Sequence, residues 1–325
     1  MKKELNRTWL FENAGMPIRY NLIDDSKDIK MFLQNTEVSN WLSRLSERSK
    51  DNNIGDIHGS LDYRMENILG KCWILGLSKS VDVFAENIIF IQKYCFLPLL
   101  GFFEDDAVKH IAGQRLEILY NFTKQKCYDI YVDGAKLKGV KKEWQPFVIN
   151  PDLYANGHIA LPDMHDLLLF AGMYQYMTKV EQQKVETIVE WFFKVEYKNI
   201  IRRYGYFYVP GGSYNTKAVI FKLHLPDFEN AAFDKVELGS LLFNLFILSH
   251  FEAAKSSEWF CLALDYLNQY KNENGRYSFP AHFIAEKEDS YVIFGGHMNV
   301  GEIKRNKLYN EIISTYWMER IMQNI

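Results

Sequence analysis

The chain has 325 residues, 48% of them apolar and 15% aromatic, with 38 basic and 41 acidic residues and a net charge of −3. That balance excludes a basic footprint for nucleic acid and a block of like charge marking a tail. It leaves room for one large domain or two small ones, with a core big enough to line a cavity with aromatic rings.

The first stretch, MKKELNRTWLFENAG, is positively charged but has no apolar run and no small-residue cleavage site. The expectation is a cytoplasmic protein, with residues 1–40 as an N-terminal arm or closing segment of a single domain spanning 1–325. Nine segments then carry apolar residues at helical spacing. In order they are WLSRLSERS, DYRMENILGKCWILGL, FAENIIFIQKYCFLPLL, DDAVKHIAGQRLEILYNF, DMHDLLLFAGMYQYM, QQKVETIVEWFFKVEYKNI, GSLLFNLFILSHF, SEWFCLALDYLNQY and LYNEIISTYWMERIM. The longest apolar run, SLLFNLFILSHF, is well short of the ~20 residues of a membrane span, so no transmembrane segment is expected. Strand signals are confined to YGYFYV and SYVIF, short aromatic or β-branched runs beside glycine that suit a hairpin or an extended loop. The four cysteines, Cys72, Cys95, Cys127 and Cys261, form no CxxC pair and lie in apolar stretches, which reads as buried thiols in a reducing compartment.

A pattern recurs along the chain: a glycine turn, a short extended piece, then a helix. It starts at Gly55, Gly101, Gly157, Gly205 and Gly275. Each unit is one helical hairpin that cannot bury both its faces alone. The fold class expected is therefore all-α, an α/α toroid of five to six helical hairpins, with a short β-hairpin as an insertion. DMHDLLLFAGMY and GSLLFNLFILSHF suit inner helices, and the charged face of QQKVETIVEWFFKVEYKN suits an outer one. In a closed ring the loops before the inner helices gather at one mouth.

NGHIALP, YGYFYVP and NGRYSFP, each placed between an outer and an inner helix, resemble the turn pattern of the α/α toroids of terpenoid cyclases and protein prenyltransferases. The resemblance is one of architecture, over roughly residues 40–320, and it implies a deep apolar cavity. Glycan-active (α/α) barrels look similar. The class II cyclase motif DxDD is absent, and no cysteine holds a mouth position where a prenyltransferase zinc ligand would sit. IDDSKD, with Asp24, Asp25 and Asp28, resembles the DDxxD metal motif of class I terpene synthases, but it lies outside any cavity helix and reads as a solvated turn.

Four polar clusters stand before apolar runs. In HGSLDYRMEN, His58, Asp62 and Glu66 are catalytic candidates, with Asp62 and Glu66 at i,i+4 on one helical face and His58 on the same side. In LPDMHD, Asp163 is a further catalytic candidate, with His165 and Asp166 as substrate-binding ones. Asp163 and Asp166 share a face and suit metal binding or acid–base work, while helix capping is the ordinary explanation of such residues at a helix start. Asp105, between Glu104 and Asp106, holds the same place in the next unit. His297 follows Gly295 and Gly296, whose tight turn would expose it on a lid. The tyrosines Tyr206, Tyr208 and Tyr277 could line a cavity and stabilise a cation, or stack on a sugar. No Walker A, GxGxxG, HExxH or GxSxG motif is present.

The leading expectation is an enzyme with an acid-lined apolar cavity, acting on an isoprenoid or similar small apolar substrate, with a divalent metal as its candidate cofactor. The rivals are a carbohydrate-active (α/α)-barrel lyase or hydrolase, and a non-catalytic scaffold that binds a ligand or peptide.

Overall fold

In the computed structural model of the chain, residues 2–23, 29–51, 55, 57–78, 80–89, 106–124, 130–143, 145–155, 158–198, 204–209, 213–218, 225 and 239–325 are described. These residues are mostly helical. The helices are α1 (Lys2–Asn13), α2 (Met16–Ile23), α3 (Ile29–Gln34), α4 (Thr36–Lys50), α5 (Met65–Ile74), α6 (Asp82–Ile88), α7 (Asp106–Thr123), α8 (Met164–Met173), α9 (Lys179–Trp191), α10 (Val195–Lys198), α11 (Ser240–Leu248), α12 (Glu252–Lys255), α13 (Glu258–Asn268) and α14 (Tyr309–Gln323).

Two kinds of helix alternate. α4 buries Val38, Trp41 and Leu45, α9 buries Val185, Ile188, Val189 and Trp191, and α13 buries Phe260, Ala263 and Leu267. Those spacings of three and four put one face of each helix on the core and leave the rest to solvent. α8 and α11 are different. Every residue of α8 except His165 is buried, as is every residue of α11. They are enclosed on nearly all sides, as their largely apolar sequences require. α4 packs on α5, α7 on α8 and α9, and α11 on α8, α13 and α14. α1 packs against α14, which joins the two ends of the chain. Residues 1–40 supply core side chains, with Leu10, Ile18 and Phe32 fully buried. Truncating an enclosed ring such as Phe243 of α11 should cost about 3–5 kcal/mol.

The strand content is small. β1 (Tyr131–Val132), β2 (Val148–Ile149), β5 (Tyr204–Val209) and β6 (Ser213–Ala218) form one sheet in the order β1-β2-β5-β6. β3 (Tyr154–Ala155) and β4 (His158–Ile159) form a second, two-stranded one. YGYFYV is thus a hairpin strand, antiparallel to β6 and with Val148 paired in parallel to Tyr206. SYVIF is not a strand: residues Val292–Phe294 form a 3-10 turn closed by Gly295 at φ 70°. The long run QQKVETIVEWFFKVEYKNI is not one helix either, because α9 ends at Trp191 and α10 starts at Val195. α11 is preceded by Gly239, whose φ of 70° and 2.4 Å approach of a would-be Cβ to the Phe283 carbonyl demand glycine.

No helix among the described residues is long and apolar enough to cross a membrane. Cys72 is buried, and burial pushes its thiol pKa far up. Cys261 is exposed, against the expectation of a buried thiol, because it lies on the outward face of α13. Cys95 and Cys127 lie outside the described residues, as do Asp24, Asp25 and Asp28.

Candidate functional site

Glu66 enters the core one residue inside the start of α5. It is 2% exposed. A lone carboxylate at that depth would be neutral or paired. Two imidazoles pair it. His58 Nδ1 lies 2.7 Å and His165 Nε2 lies 3.4 Å from the same oxygen, Oε2. The other oxygen, Oε1, is buried with no hydrogen-bond partner among the described residues, an arrangement that ordinarily costs about 1–3 kcal/mol. Burial alone would raise the Glu66 pKa, but the hydrogen bonds and charges of His165 and His58 outweigh it and hold the carboxyl below its usual range. The His165 ring shows the reciprocal effect. Burial works against its cation, yet Glu66, Asp163 and Asp166 together raise its pKa to about 9.

Backbone chemistry sets these positions. His58 sits on the loop before α5, and Asn67 ties that loop to the helix. The Asn67 amide donates to the carbonyls of Gly59 and Leu61 and accepts from Val292 N. The backbone N–H of Glu66 donates to Ile57 O, which fixes His58 over the helix start. The His58 ring lies against Tyr291, with centroids 5.2 Å apart.

His165 sits in the first turn of α8, whose start is a reciprocal cap. Asp163 Oδ1 accepts from the backbone of His165 and Asp166, and Asp166 Oδ2 accepts from Asp163 N. Arg115 of α7 grips Asp166 with Nε 2.7 Å from Oδ1 and Nη2 2.9 Å from Oδ2, and reaches the Leu161 carbonyl. Both Asp166 oxygens are therefore engaged by protein. It anchors the helix start, in line with the capping explanation of LPDMHD. Asp163 Oδ1 is also 3.8 Å from His165 Nδ1. Burial first, then the neighbouring Asp166, raises the Asp163 pKa.

The remaining candidates divide. Asp62 does not share a helical face with Glu66, because α5 starts at Met65 and Asp62 lies in the preceding bend. Its carboxylate accepts from Arg44 Nη1 and from Asp289 N, while Asp62 N donates to Asp289 Oδ1. The two aspartates clasp each other's backbone across the chain, and Asp289 holds a φ of 52° to do so. The glycine turn before His297 exists, but His297 is 1% exposed, not displayed on a lid. Its Nδ1 lies 3.0 Å from Glu286 Oε1 and its Nε2 2.9 Å from Ser290 O. Glu286 also binds Lys71, which is fully buried and reaches Asn299 O at 2.7 Å. Tyr277 is a buried residue whose hydroxyl donates to Asn268. Tyr206 and Tyr208 lie on β5, where only the backbone is described, and Asp105 lies outside the described residues.

The convergence is thus narrower than a mouth full of acids. One enclosed carboxylate, two imidazoles from segments about a hundred residues apart, and a supporting Asp163 make up the site. Arg115 and Tyr291 were not visible as members, since each sits in an ordinary helical or aromatic run and only tertiary placement brings it in. Comparison with known protein families, with curated proteins and with solved structures finds no match to this chain.

Proposed function

We propose that the protein is an enzyme whose reactive centre is His58, Glu66 and His165, and that it cleaves a polar, hydroxyl-bearing substrate of the carbohydrate type by hydrolysis or elimination. One observation carries this reading: a deeply buried carboxylate is held between two imidazoles that keep contact with solvent, His58 at 29% and His165 at 16% side-chain exposure. A purely structural pair has no need of that access. The rings are placed to give or take protons from a group that approaches from the solvent side, and Glu66 orients both. The alternation of one-faced helices with enclosed ones supports placing this centre in an α/α toroid, at the starts of α5 and α8.

A second reading, an isoprenoid or other apolar substrate, draws its support from the enclosed apolar helices α8 and α11. The polarity of the cluster favours the first.

The test is a turnover screen of neutral and uronic-acid oligosaccharides beside prenyl diphosphates, run on wild type, Glu66→Gln and His165→Asn. Loss of acid–base groups should lower turnover by about 10²–10⁴. Turnover of an oligosaccharide that both variants abolish is the expected result. Turnover of a prenyl substrate alone would move the reading to the second. Turnover unchanged in both variants would remove the centre from consideration.

A further inference from the structure

The His58–Glu66–His165 cluster satisfies more than an ion pair needs. Three different side chains present one donor atom each, and those atoms lie within 4.8 Å of one another. Two of the separations are 2.7 and 3.4 Å. Donors at zinc bond lengths in a tetrahedron stand about 3.4 Å apart. Seating a cation therefore asks the His58 ring to move by about 0.7 Å from Glu66, and His58 is on a loop rather than in a helix. The Oε1 of Glu66, buried and unpartnered among the described residues, is the second observation. A cation bound at the carboxylate gives that oxygen the partner it lacks.

We propose that His58, Glu66 and His165 form a site for one divalent d-block cation of the zinc class, held by two imidazoles and one carboxylate with a coordination position left open. This deepens the enzymatic reading above and rests on it only for what the open position would do. Imidazole with carboxylate is a donor set that suits zinc, and also iron(II) or manganese(II), better than calcium or magnesium. Three protein ligands and an open fourth position are the arrangement of catalytic rather than structural zinc sites. The carboxylate of Asp163, 3.8 Å from His165 Nδ1, stands where a ligating histidine ordinarily finds an acid that orients its ring. Two effects oppose a cation here: His165 must give up the proton that Glu66 and the aspartates hold on it, and the starts of α5 and α8 both point positive half-charges at the site. The negative charges of Glu66 and Asp163 offset the latter.

The experiment strips the purified full-length chain with a chelator, equilibrates it with zinc chloride, removes free metal, and measures metal content and the thermal midpoint. Wild type is expected to retain about one zinc per chain and to gain a higher midpoint, as binding to the folded state requires. His58→Ala and Glu66→Gln are expected to lose both effects, while His282→Ala, a change to an exposed histidine elsewhere, keeps them. His58→Ala removes a partly exposed loop side chain, so the comparison survives even if Glu66→Gln fails to fold. Cobalt(II) should give the visible spectrum of a four- or five-coordinate site in wild type alone. Retention of iron(II) or manganese(II) in place of zinc by the same side chains supports the site and reassigns its metal. No retained metal in wild type, or equal retention in His58→Ala, overturns it. A wild type that retains no metal yet turns over a substrate would sink the metal site and spare the enzyme; metal bound at the three side chains without turnover of any substrate would do the opposite.

Discussion

The carboxylate of Glu66 lies 2.7 Å from Nδ1 of His58, while its second oxygen is enclosed without a hydrogen-bond partner among the described residues. The two residues are eight positions apart, which in a continuous helix would hold them about 12 Å apart along the axis. The loop between them has to turn back over the helix start. Asn67 makes it do so through Gly59 and Leu61.

The first expectation concerns His165. Its ring holds a proton up to about pH 9 because Glu66 and the two aspartates outweigh burial. In Glu66→Gln burial remains and the main support goes. The His165 pKa, read by NMR, should fall to near or below its ordinary 6.5. The stability that Glu66 draws from this proton is complete below pH 6.5 and is lost as pH rises through 9. The stability gap between wild type and Glu66→Gln should narrow over that window. A ring that still titrates near 9 would show that Glu66 does not hold it.

Arg115 is expected to be a structural anchor of the site. Arg115→Met strands the largely buried Asp166 carboxylate and weakens the cap that positions His165. Removing one partner of such a pair costs about 3–5 kcal/mol. Urea denaturation should show a loss near the lower end, since the pair keeps some solvent contact. A loss under about 1 kcal/mol would mean that the pair behaves as a surface ion pair.

Lys71 and Glu286 form the second enclosed charge pair, 2.8 Å apart. Burial opposes the Glu286 charge, but Lys71 and His297 overcome it and hold the carboxyl pKa down to about 2. A depressed acid stabilises the fold above its ordinary pKa of 4.5, and this share is lost as pH falls from 4.5 to 2. Glu286→Gln should destabilise at neutral pH by about 3–5 kcal/mol, and the penalty should shrink in that acid window. An undiminished penalty at pH 2 would contradict the pairing.

His250 gives a third pH signature of different origin. Burial disfavours its cation and lowers its pKa to about 4, with Nδ1 donating to the carbonyls of Phe246 and Ile247. The unfolded chain then binds the extra proton first. Stability should fall as pH drops from 6.5 to 4 and level off below. His250→Gln should flatten the curve between 6.5 and 4.5, where Glu286 is silent. A slope that persists in that variant would assign it elsewhere.

Much of the helical framework was legible because its signals are local. The capping box at Asp163, the three–four spacing of α4 and α13, and the mostly apolar run of α11 each follow from residues close in sequence. The polar crowd around His58 and Glu66 was legible for the same reason. Its meeting with His165 depends on how α5 and α8 sit, which no local pattern carries. Asp62 misled because its spacing to Glu66 is helical while the helix starts three residues later, after the turn at Gly59. His297 misled because a glycine turn exposes its own backbone, not the side chain that follows. Lys71 was passed over because a lysine in an apolar run reads as an outward face until its partners, Glu286 and Asn299, arrive from more than two hundred residues away.

The most direct test of the centre is a thermal-shift comparison of wild type, Glu66→Gln, His165→Asn and a control, Glu273→Gln, against oligosaccharides and prenyl diphosphates, each with and without zinc. A ligand of the folded state must raise the midpoint. The expected result is a rise with an oligosaccharide in wild type and in the control, lost in both site variants. An equal rise in all four proteins would place binding away from Glu66, and no rise in wild type with any member of the panel would contradict the proposed centre.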